Sequence, residues 1–183
     1  MTTKFLYFSI IALIILNSCN EKEEPAVTTN IDVSKQWTVD NLGVAIIPLF
    51  DGQWQTKTFT SQELNLFNSL DTANLNGTTT PQSVVDTPPG YSSTFPNPFM
   101  TTHLLALRFN TGFTGQIVIK AVVVDSTMTP YFKVATRLNV QNASTALAFN
   151  PTIPVGKFRF YYTLSSQANP HFFKSWGNIQ KTP

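Results

Sequence analysis

Acidic side chains and histidines could carry out acid–base or metal chemistry in this chain, but they are few and scattered. Catalysis by paired carboxylates needs two acidic groups about 5 to 9.5 Å apart in one cleft. The carboxylates beyond the acidic N-terminal cluster are Asp32, Asp40, Asp51, Glu63, Asp71, Asp86 and Asp125, and most stand at predicted turns. His103 and His171 are the only histidines, and neither has a second ligand nearby in sequence to start a zinc site or a serine–histidine pair. The sequence predicts no catalytic residues, no metal site and no cofactor, so we expect a protein that is not an enzyme.

The single cysteine, Cys19, indicates a different chemistry. Lys4 precedes an apolar run over residues 5–16, which as a helix would reach roughly 18 Å, short of the roughly 30 Å hydrocarbon core of a bilayer. A basic start and a short apolar centre are typical of a removed export signal. Leu16-Asn17-Ser18-Cys19 resembles the bacterial lipobox, which implies a signal peptide over residues 1–18 and a diacylglycerol on the Cys19 sulfur. No thiol then remains for a disulfide.

Residues 19–35 are predicted to form a lipidated flexible tether, because they lack apolar periodicity and Glu, Lys and Pro are frequent. Glu21, Glu23 and Glu24 follow Cys19 closely. This acidic cluster resembles the surface-export signal of lipoproteins in the Bacteroidota. The resemblance implies a protein that is anchored by lipid in the outer membrane and exposed at the cell surface.

The charge of the chain is divided between its halves. Residues 20–99 contain three Lys and nine carboxylates, a net charge of −6, whereas residues 100–183 contain eight Lys or Arg and one carboxylate, a net charge of +7. Such a division can mark a surface for an anionic partner. It can equally mean that the two halves pack on each other with complementary charge.

The elements that must position these residues are predicted to be mainly strands. Aromatic residues make up 13% of the chain and charged residues only 12%, which favours a β-rich fold. Residues 100–183 contain five strand candidates at the spacing of a β-sandwich. They are residues 104–109, 116–124, 131–140, 145–149 and 157–164. The strand at 116–124 is apolar on both faces, as a central strand covered on both sides would be.

Residues 36–99 are predicted to pack on this sandwich as a hairpin, a short helix and a long loop. The hairpin consists of residues 44–50 and 54–59 around a Gly-containing turn. Thr60 and Glu63 have the spacing of a capping box, which predicts a helix to about Leu70 with Leu64 and Phe67 on one side. Residues 71–100 are rich in turn-forming residues and predict a long ordered loop.

Alternation along the strands predicts a basic, aromatic-rich outer face. Residues at every second position point to the same side of a strand. The predicted outward residues are Arg108, Tyr131, Lys133, Arg137, Lys157, Arg159 and Tyr161. If their strands share a sheet, this face suits an anionic glycan or another envelope protein. The alternative is that these charges only keep exposed strands soluble and unpaired.

Phe95-Pro96-Asn97-Pro98-Phe99 resembles the opening of the C-terminal sorting domains of type IX secretion in the Bacteroidota. The similarity covers the last 89 residues and implies an immunoglobulin-like sandwich, although residues 171–179 depart from the family's basic, aliphatic end. Asp71-Thr72-Ala73 and Asp125-Ser126-Thr127 resemble the Asp-Ser/Thr-x acceptor of O-glycosylation in the same bacteria. That resemblance makes Thr72 and Ser126 candidate modification sites.

The sequence therefore predicts an outer-membrane lipoprotein that presents an immunoglobulin-like antiparallel β-sandwich with one short helix. We expect a non-catalytic binding or assembly module, held at the membrane by its lipid, with no nucleic-acid partner. One alternative is a type IX secretion cargo or sorting-domain protein. Another is an extracytoplasmic hydrolase that uses Asp125 or His171.

Overall fold

The computed structural model describes residues 30–36, 53–70, 89–109, 115–165 and 173–183. Several predicted features lie outside the described residues: the signal peptide with Cys19, the first hairpin strand, the site at Thr72, and His171. The described ranges contain no helix long and apolar enough to cross a membrane.

The described residues form one helix and seven strands, arranged as a β-sandwich. The elements are α1 (Ser61–Asn65), β1 (Pro89–Phe95), β2 (His103–Phe109), β3 (Gly115–Val124), β4 (Pro130–Val140), β5 (Ser144–Phe149), β6 (Gly156–Ser165) and β7 (Phe173–Lys181). Sheet 1 has the order β1-β2-β5 and sheet 2 the order β4-β3-β6-β7, and neighbouring strands pair antiparallel. The predicted mainly β fold is confirmed.

The five predicted strands are confirmed as β2 to β6, but two further strands were not predicted. β1 lies where a loop was expected, because its sequence is rich in turn-forming residues and begins with Pro89, which an edge strand tolerates. β7 lacks a clear apolar alternation, since Ser175 and Gly177 stand at inward positions between Phe173 and Ile179.

Gly177 is required by the packing of Trp54 between the sheets. An added Cβ at Gly177 would lie 1.9 Å from Cε2 of the Trp54 ring, so the indole fills the space of a side chain. Residues 54–59 were predicted as a hairpin strand, and this is wrong. The segment instead runs beside β7 through two hydrogen bonds, from Trp54 N to Trp176 O at 2.7 Å and from Lys57 N to Lys174 O at 2.8 Å.

Two apolar clusters stabilise the fold, one on each side of sheet 2. Between the sheets, the rings of Phe149 and Phe160 stack with centroids 5.1 Å apart. On the outer side, Val122 and Val124 of β3 are fully buried beneath Phe59 and Phe67. The prediction that β3 is covered on both faces is confirmed for this part of the strand.

The predicted capping box at α1 is confirmed. Glu63 N donates to the Thr60 hydroxyl at 3.3 Å, and Thr60 N donates to the Glu63 carboxylate at 2.8 Å. The helix ends at Asn65, earlier than predicted, and the chain continues in tighter turns with i to i+3 bonds. Leu64 is 41% exposed, while Phe67 is buried on sheet 2, so the prediction that both lie on one side is wrong.

Candidate functional site

The structure does not bring the seven predicted binding-face residues onto one surface. Arg108 is exposed on β2 in sheet 1, whereas the other six belong to β4 and β6 in sheet 2. Tyr131 is 44% exposed at the start of β4. Lys157 is exposed near the start of β6, where its Nζ donates to Ser34 O at 3.3 Å. The predicted single face is therefore wrong.

Arg159 points outward from sheet 2, as predicted, yet it is only 8% exposed. Its Nε donates to Asn178 Oδ1 at 2.9 Å, its guanidinium lies 3.8 Å from the centroid of the Trp176 ring, and another nitrogen donates to Asp32 O. Asn178 also donates to Lys35 O at 2.7 Å. Arg159 and Asn178 thus fix residues 30–36 on the sheet and are not available to a ligand.

Tyr161 is fully buried under the same outer layer. Its hydroxyl donates to Glu63 Oε1 at 2.9 Å, and its ring meets Phe59 edge-on with centroids 5.4 Å apart. Burial raises the pKa of the Tyr161 phenol well above its usual range. The predicted exposure of Arg159 and Tyr161 is wrong because alternation gives the direction of a side chain and does not show what covers it.

The Phe95–Phe99 motif holds the edge of β7. The Asn97 side chain donates to Asn178 O at 3.1 Å and accepts from Gln180 N at 2.9 Å. Its amide thus makes the two backbone hydrogen bonds that a neighbouring strand would make. Phe99 continues the contact, with its N–H donating to Gln180 O and its carbonyl accepting from Thr182 N. The motif therefore has a structural role: it connects β1 of sheet 1 to the far edge of sheet 2.

His103 is buried at the base of this motif. Its Nδ1 lies 3.0 Å from Pro96 O, and its ring centroid lies 4.4 Å from that of Phe99. Burial lowers the pKa of His103 to about 3, so the imidazole is neutral and donates its Nδ1 proton to the carbonyl. Within the described ranges, no three His, Cys, Asp or Glu residues lie close enough together to hold a metal ion.

Asp125 serves the turn between β3 and β4. Its Oδ1 accepts from Thr127 N at 2.8 Å, from the Thr127 hydroxyl at 2.7 Å and from Thr129 N at 3.0 Å. Burial raises the pKa of Asp125, but these hydrogen bonds outweigh it and hold the pKa below its usual value. Ser126, the candidate modification site, is exposed in this turn.

A different group of basic residues does share one surface, the outer face of sheet 2 beyond α1. Lys120 of β3 lies opposite Thr163 of β6, which lies opposite Lys174 of β7. With strands about 4.8 Å apart, the two lysine Cα atoms are about 10 Å apart. Arg137 lies in the next row opposite Val118. Together with Lys57 and Lys133, these three residues form what we call the cationic face.

The described carboxylates lie elsewhere. Asp32 lies beside Arg159, Glu63 bonds to Tyr161 and Thr60, and Asp125 is held in its turn. Among the residues that the structure describes, the cationic face thus has five basic side chains and no acidic one. The residues between the cations have short, half-buried side chains: Val118, Ala135, Thr163 and Ser165.

Sequence reasoning found Lys133 and Arg137 of this face but missed Lys120 and Lys174. Lys120 was treated as part of an apolar strand, although it shares the outward alternation of Val122 and Val124. Lys174 lies in β7, which was not predicted to be a strand. The position of Lys57 depends on the contact of its segment with β7, which no local pattern indicates.

Comparisons with known proteins identify no relative. The chain matches no family model, no curated protein and no solved structure.

Proposed function

We propose that this protein is a lipid-anchored, non-catalytic binding module of the bacterial outer membrane, whose cationic face binds an anionic glycan. The observation that carries the proposal is that Lys120 and Lys174 lie on one outer sheet surface with no described carboxylate between them. Arg137 lies in the next row, Lys133 donates to the Ser69 hydroxyl at 2.6 Å, and Lys57 Nζ lies 5.1 Å from the centroid of the Trp176 ring, so these three add positive charge at the border of that surface. A surface of one sign raises the local concentration of oppositely charged ligands and steers their approach.

The shape of the cationic face favours a polymer over a small molecule. Small-molecule sites are concave and bury most of their ligand, whereas these cations project from neighbouring strands of one sheet. From Arg137 on β4 to Lys174 on β7 its cations extend over three strand spacings, about 14 Å, so one extended polyanion can contact several of them at once. The Thr163 and Ser165 hydroxyls lie between the cations and are suited to donate hydrogen bonds to sugar oxygens.

The attachment of the predicted tether supports an outward orientation of this face. Ile31 N donates to Ser126 O at 2.8 Å, so the N-terminal segment meets the sandwich at the turn between β3 and β4. Val124 is the last residue of β3 before that turn, and Lys120 lies four residues away from it along the strand. Val118 and its partner Arg137 lie farther from the turn. Apart from Lys133, which lies opposite Val122 near the turn, the cations of β3 and β4 thus lie toward the end of the sandwich farther from the attachment of residues 30–36, and with the lipid on Cys19 we expect them to face away from the membrane.

The immunoglobulin-like assignment is part of the same proposal, and the strand order supports it. In immunoglobulin-like sandwiches the second and fifth strands are neighbours, and strands C, F and G form the opposite sheet. Here β2 pairs with β5, and β3, β6 and β7 are consecutive in sheet 2. β4 extends the second sheet, as the added strand of variable-type domains does.

Charge reversal on the cationic face tests the function. We expect the full-length protein in detergent to bind lipopolysaccharide or a polyuronate, and neutral dextran much less. Lys120→Glu with Lys174→Glu should weaken binding at least tenfold, equivalent to about 1.4 kcal/mol. Affinity of the wild-type chain should fall as salt rises, because exposed charges are screened.

The matched control is Arg108→Glu with Lys157→Glu, which makes the same change of charge on sheet 1 and at the far end of β6, about 20 Å from Thr163. If both double variants lose affinity equally, only the net charge matters and the cationic face is not the site. Equal binding of dextran and the polyanions would refute an electrostatic site of any kind.

A further inference from the structure

β5 (Ser144–Phe149) is an edge strand that differs from the other two edges with described side chains. The β7 edge is covered by residues 53–57 and by the Asn97 motif, and β4 has Lys133 and Arg137 along its length. Lysines and arginines on an edge discourage pairing with another chain. β5 reads Ser-Thr-Ala-Leu-Ala-Phe, with no charge and no Pro, and both Ala146 and Ala148 are exposed.

The hydrogen-bond pattern shows which backbone groups of β5 face away from β2, on the side where no described strand pairs with it. Phe109 N donates to Ala143 O at 2.7 Å, and bonded and non-bonded pairs alternate in an antiparallel ladder. Thr145, Leu147 and Phe149 therefore bond to β2, in the register Leu105 with Leu147. Ala146 and Ala148 direct their N–H and C=O groups away from β2. Ser144 uses its outward groups in two bonds to Gln141, at 3.0 and 3.1 Å.

We propose that β5 pairs antiparallel with β5 of a second copy of this chain, about a two-fold axis at Leu147. In this register Ala146 lies opposite Ala148 of the second copy, and Ala148 lies opposite Ala146 of the second copy. The backbone N–H and C=O groups that these residues direct away from β2 then form four N–H···O bonds. An axis at Ala146 would satisfy only two, because Ala148 would then face Ser144, whose groups are already bonded to Gln141. The two three-stranded sheets become one sheet of six strands.

A second copy fits this edge better than a charged partner strand. β5 has no charged residue that could pair with the charges of a charged partner strand. When two copies of β5 pair, no like charges on the two strands face each other. Because Ala146 and Ala148 carry short side chains, no bulky group on the outer side of the strand hinders the approach of a second β5 edge. Such a contact is isologous, the usual form of a symmetric dimer.

The opposing force is the charge of β4. β4 lies under β5, with the Phe132 and Phe149 rings stacked at 5.6 Å, so pairing brings the Lys133 and Arg137 side chains of the two copies closer. Salt screens this repulsion. Dimerisation should therefore strengthen with salt, the opposite of anion binding, so the two proposals can fail separately.

Cysteine crosslinking of the full chain in its membranes tests the register. In the proposed dimer Leu147 faces its own copy in a non-hydrogen-bonded pair, with Cα atoms about 4.5 Å apart, which is within disulfide range. Leu147→Cys should give a dimer after mild oxidation. Thr145→Cys is the matched control, because it lies on the same side of the strand but about 13 Å from its symmetric copy.

Exposed positions give a second measurement that does not disturb the core. Ala146→Cys with Ala148→Cys should crosslink, while either single variant should not. Ala146→Pro removes an outward N–H without breaking a bond to β2, and it should abolish the Leu147→Cys crosslink while the melting temperature changes little. The wild-type chain, with Cys19 alone, is the background. Equal crosslinking at positions 145 and 147, none at any position, or a crosslink that survives Ala146→Pro would overturn the proposal.

Discussion

The basic side chains of this protein lie in two settings, and the difference between them separates structure from function. Arg159 and His103 are buried and hydrogen-bonded to protein groups, and Arg159 also lies over an aromatic ring. Lys120 and Lys174 lie on the same sheet as Arg159, on the two strands that neighbour β6, but beyond the cover of α1. A buried cation contacts only groups of the protein, whereas a solvent-exposed one can bind a ligand.

The largest effect on stability is expected for Arg159→Ala. The change removes a charged hydrogen bond to Asn178, a bond to Asp32 O and the stacking on Trp176, so it should lower the free energy of unfolding by about 3 kcal/mol. Urea denaturation measures this. Arg108→Ala, which removes an exposed arginine, is the control and should change stability by no more than about 0.5 kcal/mol. Similar small losses in both variants would contradict the contrast between the two settings.

The next effect is a pH dependence from His103. The pKa of His103 is about 3 in the folded protein, below the usual 6.5. Between pH 3 and pH 6.5 the unfolded chain therefore binds a proton at His103 more readily than the folded protein does. The free energy of unfolding should fall as pH decreases from 6.5 toward 3, with a slope approaching about 1.4 kcal/mol per pH unit from this group. Well above pH 6.5 the imidazole is neutral in both states and the slope vanishes.

His103→Gln isolates that contribution, because glutamine keeps a donor for Pro96 O and does not ionise at these pH values. Denaturation of both proteins should be compared between pH 6.5 and 4.5, above the range in which the lowered pKa of Asp125 acts. The variant should lose most of the slope. A slope of equal size in wild type and variant would show that other groups account for it.

A smaller effect is expected where the outer layer meets sheet 2. Tyr161→Phe leaves the ring packed on Phe59 but removes the hydrogen bond to Glu63, for an expected loss of about 1 kcal/mol. Tyr131→Phe is the control, because it removes a hydroxyl that bonds to the Asp125 carboxylate at a solvent-exposed site. Thermal unfolding of both variants measures the difference. If the two losses are equal, the bond to Glu63 contributes no more to stability than an exposed hydroxyl bond does.

The sequence predicted which segments form strands better than it predicted which residues pack over the outer face of sheet 2. β2 to β6 follow from alternation, and the capping box of α1 follows from Thr60 and Glu63, because these patterns are local. Burial of Arg159 and Tyr161 depends on residues 30–36 and α1, which are about 100 residues away in sequence. β7 lacks a strand pattern because Gly177 leaves space for Trp54, a constraint that exists only after folding.

The smallest effect on stability is expected on the cationic face, where it is most informative. Lys120→Ala and Lys174→Ala remove half-exposed lysines whose charges have no carboxylate beside them among the described residues. Each should change the free energy of unfolding by less than about 0.5 kcal/mol, or raise it slightly by relieving repulsion. Polyanion binding by the same variants should nevertheless weaken, and measuring both properties on one preparation separates the two roles. Loss of stability without loss of binding would place these lysines with Arg159, as groups that serve the fold.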